Sequence, residues 1–357
     1  MKSSSSPFTR RDFLRLAGLS VLGLGMESFL SACRVNSATA LSRPTNTIPA
    51  DLASPSATPW SPSGTPTQLP SATPLPSATT DPAGLTATAE YAALSPRDQR
   101  RFSLIQKYGT ATRALPLEFH GDLYWFFDGA YSMDPTTFTW LMTWFQKNDV
   151  WAVSAEELLG FLDGTLQLPA RSVILTTDSG ASSVDSLQRM IPVLQDTGMH
   201  FISFIWTMQM LPEETSGCPD NLCWDTFNLA RESGVYSFGT HTEYHLPLAE
   251  KDEDFGMKDV AQSIEEIETN LGISPQVLSW PLESCPRWGD KLVDLGIMAA
   301  FGGRSRPLEQ CSVYTQDPLP YCLPRLFPPN RQDRLSARPV GMSIEDLAVN
   351  YMDGFER

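Results

Sequence analysis

A stretch rich in Ser, Thr and Pro, residues 34–96, most strongly limits what this chain can fold into. It holds eleven of the 29 prolines in the 357-residue sequence, and Trp60 is the only aromatic residue between positions 36 and 90. This composition buries too little apolar surface to offset the entropy of ordering the chain. We therefore expect a disordered, proline-stiffened linker. One folded domain, residues 97–357, then remains, although the length alone would allow two.

The first 33 residues have the order of an export signal. Arg10 and Arg11 precede Phe13 and Leu14, and a mostly apolar stretch runs over residues 16–30. The segment resembles a twin-arginine signal. It is too short and too glycine-rich for a typical membrane-spanning helix, which needs roughly 20 apolar residues. An ordinary amphipathic helix is the alternative interpretation.

The apolar stretch ends in Leu30-Ser31-Ala32-Cys33. This run resembles the lipobox of bacterial lipoproteins, in which the cysteine becomes the lipid-modified first residue. The resemblance implies a lipoprotein held on the outer face of the cytoplasmic membrane, or on the cell surface, by lipid on Cys33. A plain cleaved signal with a chance cysteine is the alternative.

The charge balance excludes one class of partner. The formal net charge is −15, and the folded domain alone carries −16. A phosphate-binding surface needs a concentrated excess of Lys and Arg, and the sequence has none. We therefore expect no nucleic-acid partner.

Short apolar runs alternate with stretches of helical periodicity through the folded domain. The strand candidates are residues 115–119, 150–153, 172–177, 201–206, 236–240, 277–280 and 296–301. Between them lie apolar residues at helical spacing, one set beginning at a Ser154–Glu157 capping-box pattern and another ending at Gly272. This alternation predicts an α/β fold with a parallel sheet closed as a barrel. The active site of such a barrel lies at the C-terminal ends of its strands.

Histidines follow two of the strand candidates directly. His120 comes after residues 115–119, and His241 begins a His-Thr-Glu-Tyr-His run that ends at His245. A spacing of four places both rings of the pair on one face, and neutral imidazole is a common ligand of zinc. Two exposed loop histidines are the alternative. His200 opens a strand at the opposite end of the barrel, so we expect a structural role for it.

A third motif follows the strongest strand candidate, residues 172–177. Asp178 and Ser179 stand there, before Gly180. An acid in this position serves as a general base or a metal ligand. On this evidence alone, a helix N-cap aspartate in a turn is the favoured interpretation.

Together these motifs resemble the NodB-type polysaccharide deacetylases. That family has Thr-Phe-Asp-Asp-Gly after a strand and a later His-Ser/Thr-x-x-His; here the runs are Thr176–Gly180 and His241–His245. The run Leu323-Pro324-Arg325 is similar to a late Pro-Arg strand of the family. The likeness covers roughly residues 115–330, in the family's order, and it implies a distorted (β/α) barrel.

The resemblance also implies roles for individual residues. Asp178 corresponds to the catalytic base, and His241 and His245 to ligands of a divalent metal, most often zinc. The second metal-binding Asp of the family is replaced by Ser179, a weak neutral ligand, and Glu243 or Glu283 would be a substitute carboxylate. His120 matches the histidine that the biofilm-polysaccharide branch places after its first strand, which makes it the candidate acid.

Other residues beside these motifs are candidates for substrate contact. They are Trp125, Trp280, Pro281 and Arg325. Aromatic side chains stack on sugar rings, although large aromatics more often belong to a core.

The implied activity is that of a hydrolase acting on carbon–nitrogen bonds other than peptide bonds. It would remove N-acetyl groups from an extracellular polysaccharide and release acetate. Because Ser179 departs from the family pattern, a weakened or inactive relative that binds glycan is the first alternative. Another α/β-barrel hydrolase, such as a glycosidase with paired carboxylates, is the second, but the sequence shows no acidic partner for Asp178.

Five cysteines remain in the folded domain after Cys33 is assigned to lipid. An exported domain can form disulfides. Proximity in sequence suggests Cys218–Cys223 and Cys311–Cys322, which leaves Cys285 free.

Overall fold

The computed structural model describes residues 94–120, 133–215, 217–219, 222–303, 310–329 and 342–356. The predicted export signal, Cys33, the linker as far as residue 93 and the predicted sugar-binding residue Trp125 lie outside this part. Among the described helices, none is long and apolar enough to cross a membrane.

Strands and helices alternate through most of the described chain. The strands are β1 (Arg113–His120), β2 (Trp151–Ala152), β3 (Ser172–Ser179), β4 (Phe201–Ile205), β5 (Tyr236–Thr240), β6 (Val277–Ser279), β7 (Ala299–Gly303), β8 (Val313–Tyr314) and β9 (Leu323–Pro324). The helices are α1 (Pro96–Tyr108), α2 (Pro135–Lys147), α3 (Ala155–Asp163), α4 (Val184–Thr197), α5 (Leu222–Glu232), α6 (Glu253–Leu271) and α7 (Ile344–Tyr351).

Local sequence signals account for many of these boundaries. Ser154 and Glu157 form the predicted capping box at the start of α3. Helix α6 ends at Gly272, which takes the left-handed conformation with φ 66°. The last predicted strand begins three residues late, at Ala299, because Gly296 first ends a 3₁₀ helix. Strand β3 is longer than predicted, so Asp178 and Ser179 belong to the strand itself.

The nine strands form one sheet that is nearly closed into a barrel. Its order is β8-β1-β3-β4-β5-β6-β7-β9, with β2 paired to β3. All neighbours are parallel except β8, which runs antiparallel to β1. The chain beyond β9 returns to β1, where the N–H of Glu118 donates to the carbonyl of Leu326 at 2.8 Å. The predicted barrel-like α/β fold is confirmed.

Alternation along the strands separates two layers of core. In β1, Leu115, Leu117 and Phe119 pack in the larger cluster with residues of α2 and α4, whereas Ala114 packs in a second cluster. That second cluster includes Phe204 and Phe301, whose rings lie 5.6 Å apart. Successive strand residues face opposite sides, so residues 118 and 120 share the side of Ala114. This face carries the polar groups described below.

Two disulfides are formed within the described chain. Cys218–Cys223 confirms the prediction. The predicted Cys311–Cys322 pair is wrong, because Cys322 is joined to Cys285. Cys285 follows β6 and Cys322 precedes β9, and β7 lies between these strands in the sheet. A Cβ at Gly302 would collide with both sulfurs, so glycine is needed where β7 passes the bond.

Candidate active site

Asp178 lies near the C-terminal end of β3, at the centre of the polar group. Its neighbours across the sheet are His120 on β1 and Phe204 on β4. Its side chain does not cap a helix, since the next helical turn, Ala181–Ser183, has Gly180 as its N-cap. The N-cap interpretation of Asp178 is therefore wrong.

Arg325, directly after β9, holds both oxygens of that carboxylate. Nη1 donates to Oδ1 at 2.8 Å and Nη2 donates to Oδ2 at 2.9 Å. Burial disfavours the charge on Asp178, but Arg325 and then His241 outweigh burial and hold its pKa well below the usual range. Asp178 is therefore ionised at neutral pH, in a fixed orientation.

A second carboxylate, that of Glu118, lies on the other side of the guanidinium. Glu118 Oε1 is 3.0 Å from Nη2 of Arg325, and the Glu118 side chain is only 3% exposed. Two buried carboxylates thus flank one guanidinium, which leaves a formal charge of −1. The expectation that Asp178 has no acidic partner is wrong, because the partner is on β1, far from it in sequence.

His120 occupies the end of β1, close to both acids. Its Nε2 is 4.0 Å from Oε1 of Glu118, and its side chain is 39% exposed. One ligand atom each of Glu118, His120 and Asp178 lies within 4.8 Å of the others. His120 is therefore near Asp178 and also accessible from outside.

His241, the first residue after β5, presents one defined nitrogen to Asp178. Its Nδ1 lies 2.8 Å from the carbonyl oxygen of Ser279 on β6, and its Nε2 lies 3.7 Å from Oδ2 of Asp178. A carbonyl only accepts, so Nδ1 carries the proton and Nε2 has a free lone pair in the neutral ring. Burial lowers the pKa of His241 to about 4, which keeps the ring neutral at physiological pH.

His245 completes the polar group from a tight loop. Its ring packs edge-on against His241 at 4.8 Å and stacks on Trp206 at 4.5 Å. Burial lowers the pKa of His245 as well. Helix α6 holds the loop, since Oδ1 of Asp259 accepts from the backbone N–H groups of Glu243 at 2.8 Å and Tyr244 at 3.0 Å.

The remaining predicted site residues lie in less accessible places. Trp280 is fully buried, and its Nε1 donates to the carbonyl of Tyr321 at 2.8 Å. Pro281 is also buried. These two residues pack in the core in this structure, as large aromatics commonly do. Arg325 is buried too, and its guanidinium faces protein carboxylates.

Ser179 and Glu243 were both considered as oxygen ligands of a metal. Ser179 is buried, and among the described residues its Oγ has no hydrogen-bond partner. Glu243 accepts from Gln262 of α6 at 3.0 Å. Burial, helped by Glu266 and Asp259, raises the pKa of Glu243 to about 7. These contacts direct its carboxylate to α6.

Two further residues contribute to the pocket, Glu118 and Asp259, and neither was predicted from the sequence. Glu118 is a charged residue within an apolar run, two positions before His120, and strand alternation places both on one face. That signal was present in the sequence. Asp259 had no such signal, because its role depends on how α6 packs against the histidine loop.

The residues fit a divalent metal ion. Neutral imidazole and carboxylate are ligands that zinc accepts, and Nε2 of His241 has its lone pair directed toward Asp178. Oε2 of Glu118 is buried, with no hydrogen-bond partner among the described residues. A cation would satisfy that oxygen and balance the negative charge of the pocket.

Comparison with known proteins agrees with this chemistry. The family model described as polysaccharide deacetylase matches residues 166–294, which include Asp178, His241 and His245. The match supports a relationship of this chain to the polysaccharide deacetylases. No curated protein matches the chain.

Solved structures of deacetylases are similar to this chain at low sequence identity, and one of them has a TM-score above 0.5. The deacetylase PplD of Streptococcus pyogenes, in complex with acetate, is 15% identical, with a TM-score of 0.53, over 70% of this chain and 100% of that one. IcaB from Ammonifex degensii is 20% identical, with a TM-score of 0.49, over 60% of this chain and 91% of that one. The BpsB deacetylase domain from Bordetella bronchiseptica is 16% identical, with a TM-score of 0.46, over 60% and 95%.

Proposed function

We propose that this chain is a metal-dependent hydrolase that removes N-acetyl groups from an extracellular polysaccharide. The observation that carries the proposal is the ionised, Arg325-held Asp178, which lies within 4.8 Å of His120 and 3.7 Å from Nε2 of His241. The match of residues 166–294 to the polysaccharide deacetylase model supports N-acetylated polysaccharide as the substrate class.

Asp178 is the proposed general base. Its carboxylate accepts a proton from the water that attacks the acetamide carbonyl, and Arg325 keeps the carboxylate charged and correctly oriented beforehand. The tight pairing also lowers its basicity, so the water must be activated from another source. A divalent ion bound by His241 and His245, most suitably zinc, would lower the pKa of that water and polarise the carbonyl.

His120 is the proposed general acid. It donates a proton to the amine nitrogen as the carbon–nitrogen bond breaks, which yields acetate and a free amino sugar. Its partial exposure suits this role, since the leaving group is part of a long polymer that must reach it. His120 and Asp178 are register partners on adjacent strands, so acid and base approach the scissile amide from the same end of the barrel.

A glycan-binding domain with weak or absent catalysis is the second candidate. Two observations favour it: both Asp178 oxygens are engaged by Arg325, and Ser179 stands where the family has a metal-binding carboxylate. In this case the pocket would bind N-acetylated sugar without releasing acetate.

Metal content and acetate release distinguish the two candidates. The full chain is purified, stripped with a chelator, reloaded with Zn²⁺ and mixed with chitin oligomers. We expect about one zinc per chain and acetate release that disappears after chelation. Zinc uptake or sugar binding without acetate would favour the second candidate, and absence of both zinc and acetate would rule out the first.

We further propose that the domain is exported by the twin-arginine route and anchored by lipid on Cys33. The order of arginines, apolar stretch and lipobox-like run supports this. Labelling of cells with a fatty acid should mark the wild-type chain and leave Cys33→Ser unmarked. Equal labelling of both chains would contradict the anchor.

A further inference from the structure

The metal site of the proposed function lacks a carboxylate at its expected position. Ser179 offers only a neutral hydroxyl, which is a weak ligand for a divalent ion. In a regular strand, successive side chains point to opposite faces, so residue 179 of β3 is directed away from the face that carries Asp178. Two imidazoles alone would bind a metal loosely.

Glu118 places a buried carboxylate in the same pocket, and only one of its two oxygens has a partner among the described residues. Its Oε1 contacts Arg325 at 3.0 Å, whereas its Oε2 is buried without a hydrogen-bond partner among the described residues. A buried anionic oxygen without a partner destabilises the fold, because it has lost its hydrogen bonds to water and no protein donor replaces them. A cation at this oxygen would remove the cost.

The position of Glu118 on β1 brings it close to the proposed acid and base, and His241 lies beside that base. Glu118 and His120 share one face of the strand, and their register partners on β3 are Thr176 and Asp178. Ligand atoms of Glu118, His120 and Asp178 all lie within 4.8 Å of one another. Nε2 of His241, a candidate ligand, lies 3.7 Å from Oδ2 of the same Asp178, so Glu118 and His241 border one pocket.

Charge leads to the same assignment. Arg325 neutralises only one of the two carboxylates that it contacts. The excess negative charge is therefore on the pair of Asp178 and Glu118, and Asp178 has both oxygens engaged by the guanidinium. Oε2 of Glu118 is the oxygen left for a metal. Glu243 also has one buried oxygen without a partner among the described residues, but its other oxygen accepts from Gln262 of α6, which holds the carboxylate at that helix.

We infer that Glu118 is the anionic metal ligand of this pocket and takes over from β1 the role that Ser179 cannot fill from β3. The inference rests on the proposed metal-dependent function and adds a ligand to it. Glu118 thus has two tasks: Oε1 holds Arg325, and Oε2 binds the divalent ion.

Metal affinity of single variants tests the inference. The full-length chain is stripped of metal and titrated with Zn²⁺ by calorimetry, with bound zinc counted after gel filtration. Glu118→Gln keeps an acceptor for Arg325 but removes the anionic oxygen, and it should weaken zinc binding at least tenfold. Removal of a residue that only supports a ligand already lowers metal affinity about 10–100-fold, and removal of a ligand should lower it at least as much. Glu243→Gln removes a nearby acid that faces α6, and it should bind zinc like the wild type.

A third variant separates ligation from charge. Glu118→Asp keeps the negative charge but is one methylene shorter. If Glu118 is a ligand, this variant should bind zinc more weakly; if only its charge matters, zinc binding should be unchanged.

Co²⁺ gives a readout independent of affinity and activity, because its visible absorption follows the ligands around the ion. We expect Glu118→Gln to change the cobalt spectrum and Glu243→Gln to leave it unchanged. Thermal melting in chelator establishes that each variant is folded.

The outcomes keep the two proposals apart. If wild type and Glu118→Gln bind zinc equally and give the same cobalt spectrum, Glu118 is not a ligand, while the proposed function stands. A weaker Glu118→Gln with an unchanged cobalt spectrum, or a Glu118→Asp equal to the wild type, also overturns the ligand role. If the wild type binds neither ion, the metal-dependent function and the inference both fail.

Discussion

Arg325 and Asp178, 147 residues apart in sequence, are joined by two parallel hydrogen bonds of 2.8 and 2.9 Å. Both groups are almost completely buried. A buried ion pair is expensive to break from one side, since the remaining charge then has no partner. The pair therefore connects stability to the proposed chemistry, because the same contact orients the base and holds the end of β9 to the centre of the sheet.

Asp178→Asn removes the proposed base while keeping its shape. We expect acetate release to fall about 10²–10⁴-fold, the usual contribution of a general base. The fold should remain, with a lower melting temperature, because Arg325 keeps Glu118 as a partner. The exposed Asp185→Asn is the control and should behave as the wild type. Retained activity in Asp178→Asn would show that another group is the base.

Arg325→Lys replaces a two-pronged donor by a single ammonium group. Arg325 lowers the pKa of Asp178, so the replacement should raise that pKa. The base is active when ionised, and the acidic limb of the kcat/KM profile should therefore move to higher pH. Because the wild-type pKa of Asp178 lies well below its usual range, a pH profile between 4 and 8 should show this limb in the variant and not in the wild type. An unmoved limb would mean that Asp178 does not control it.

Arg325→Met tests how much the ion pair of Arg325 and Asp178 contributes to the stability of the fold. It leaves Asp178 and Glu118 buried with no guanidinium, which should cost about 3–5 kcal/mol in the free energy of unfolding. Urea unfolding of wild type and variant measures the difference. A cost below about 1 kcal/mol would contradict the tight pairing seen in the structure.

Asp259→Ala should loosen the loop that carries His245. The change leaves two backbone N–H groups without an acceptor, and each should lower the free energy of unfolding by about 1–3 kcal/mol. Zinc affinity should fall with stability, because the loop also positions His241. Asp259→Asn keeps one carbonyl acceptor and should lie between Asp259→Ala and the wild type. Equal zinc affinity in all three would show that the loop holds its shape without α6.

His200 should make the fold sensitive to acid. Burial, assisted by Arg97, lowers the pKa of His200 to about 3. Unfolded chains take up a proton near pH 6.5, so the unfolded state gains protons first and stability decreases as the pH falls from about 6.5 to 3. Replacement by Gln should reduce the loss between pH 7 and pH 5 by up to about 2 kcal/mol. Urea unfolding at the two pH values tests this, and identical losses would contradict it.

The neutral state of His200 is also supported by its contacts. The hydroxyl of Ser237 accepts from the N–H of Ala155 and lies 2.8 Å from Nε2 of His200. Because a hydroxyl has one hydrogen and two lone pairs, it can donate to Nε2 of a neutral ring even while it accepts from Ala155. The expectation that this histidine is structural agrees with its place before β4, at the opposite end of the sheet from Asp178.

Local patterns were sufficient to predict the positions of His120, Asp178 and His241. Each follows or ends an apolar run, and parallel strands bring their C-terminal ends to one edge.

Contacts that depend on closure of the barrel could not be predicted from local sequence patterns. Arg325 was predicted to contact substrate, but its position beside Asp178 depends on the segment after β9 pairing with β1, the neighbour of β3. Cys322 was paired with its nearest neighbour in sequence, although the order of strands brings it to Cys285. Glu118 was overlooked because the apolar run around it indicated a core strand. In each case the missing information was which strands lie side by side.

The hydrogen bonds between β1 and Leu326 imply an order of events during synthesis. Until that late segment leaves the ribosome, one edge of β1 has no partner there, and Asp178 has no guanidinium beside it. Contacts between such distant parts of a chain form slowly, since a long loop must close first. An incomplete chain therefore has no assembled pocket, and hydrolytic capacity would arise only when translation of the domain is almost finished.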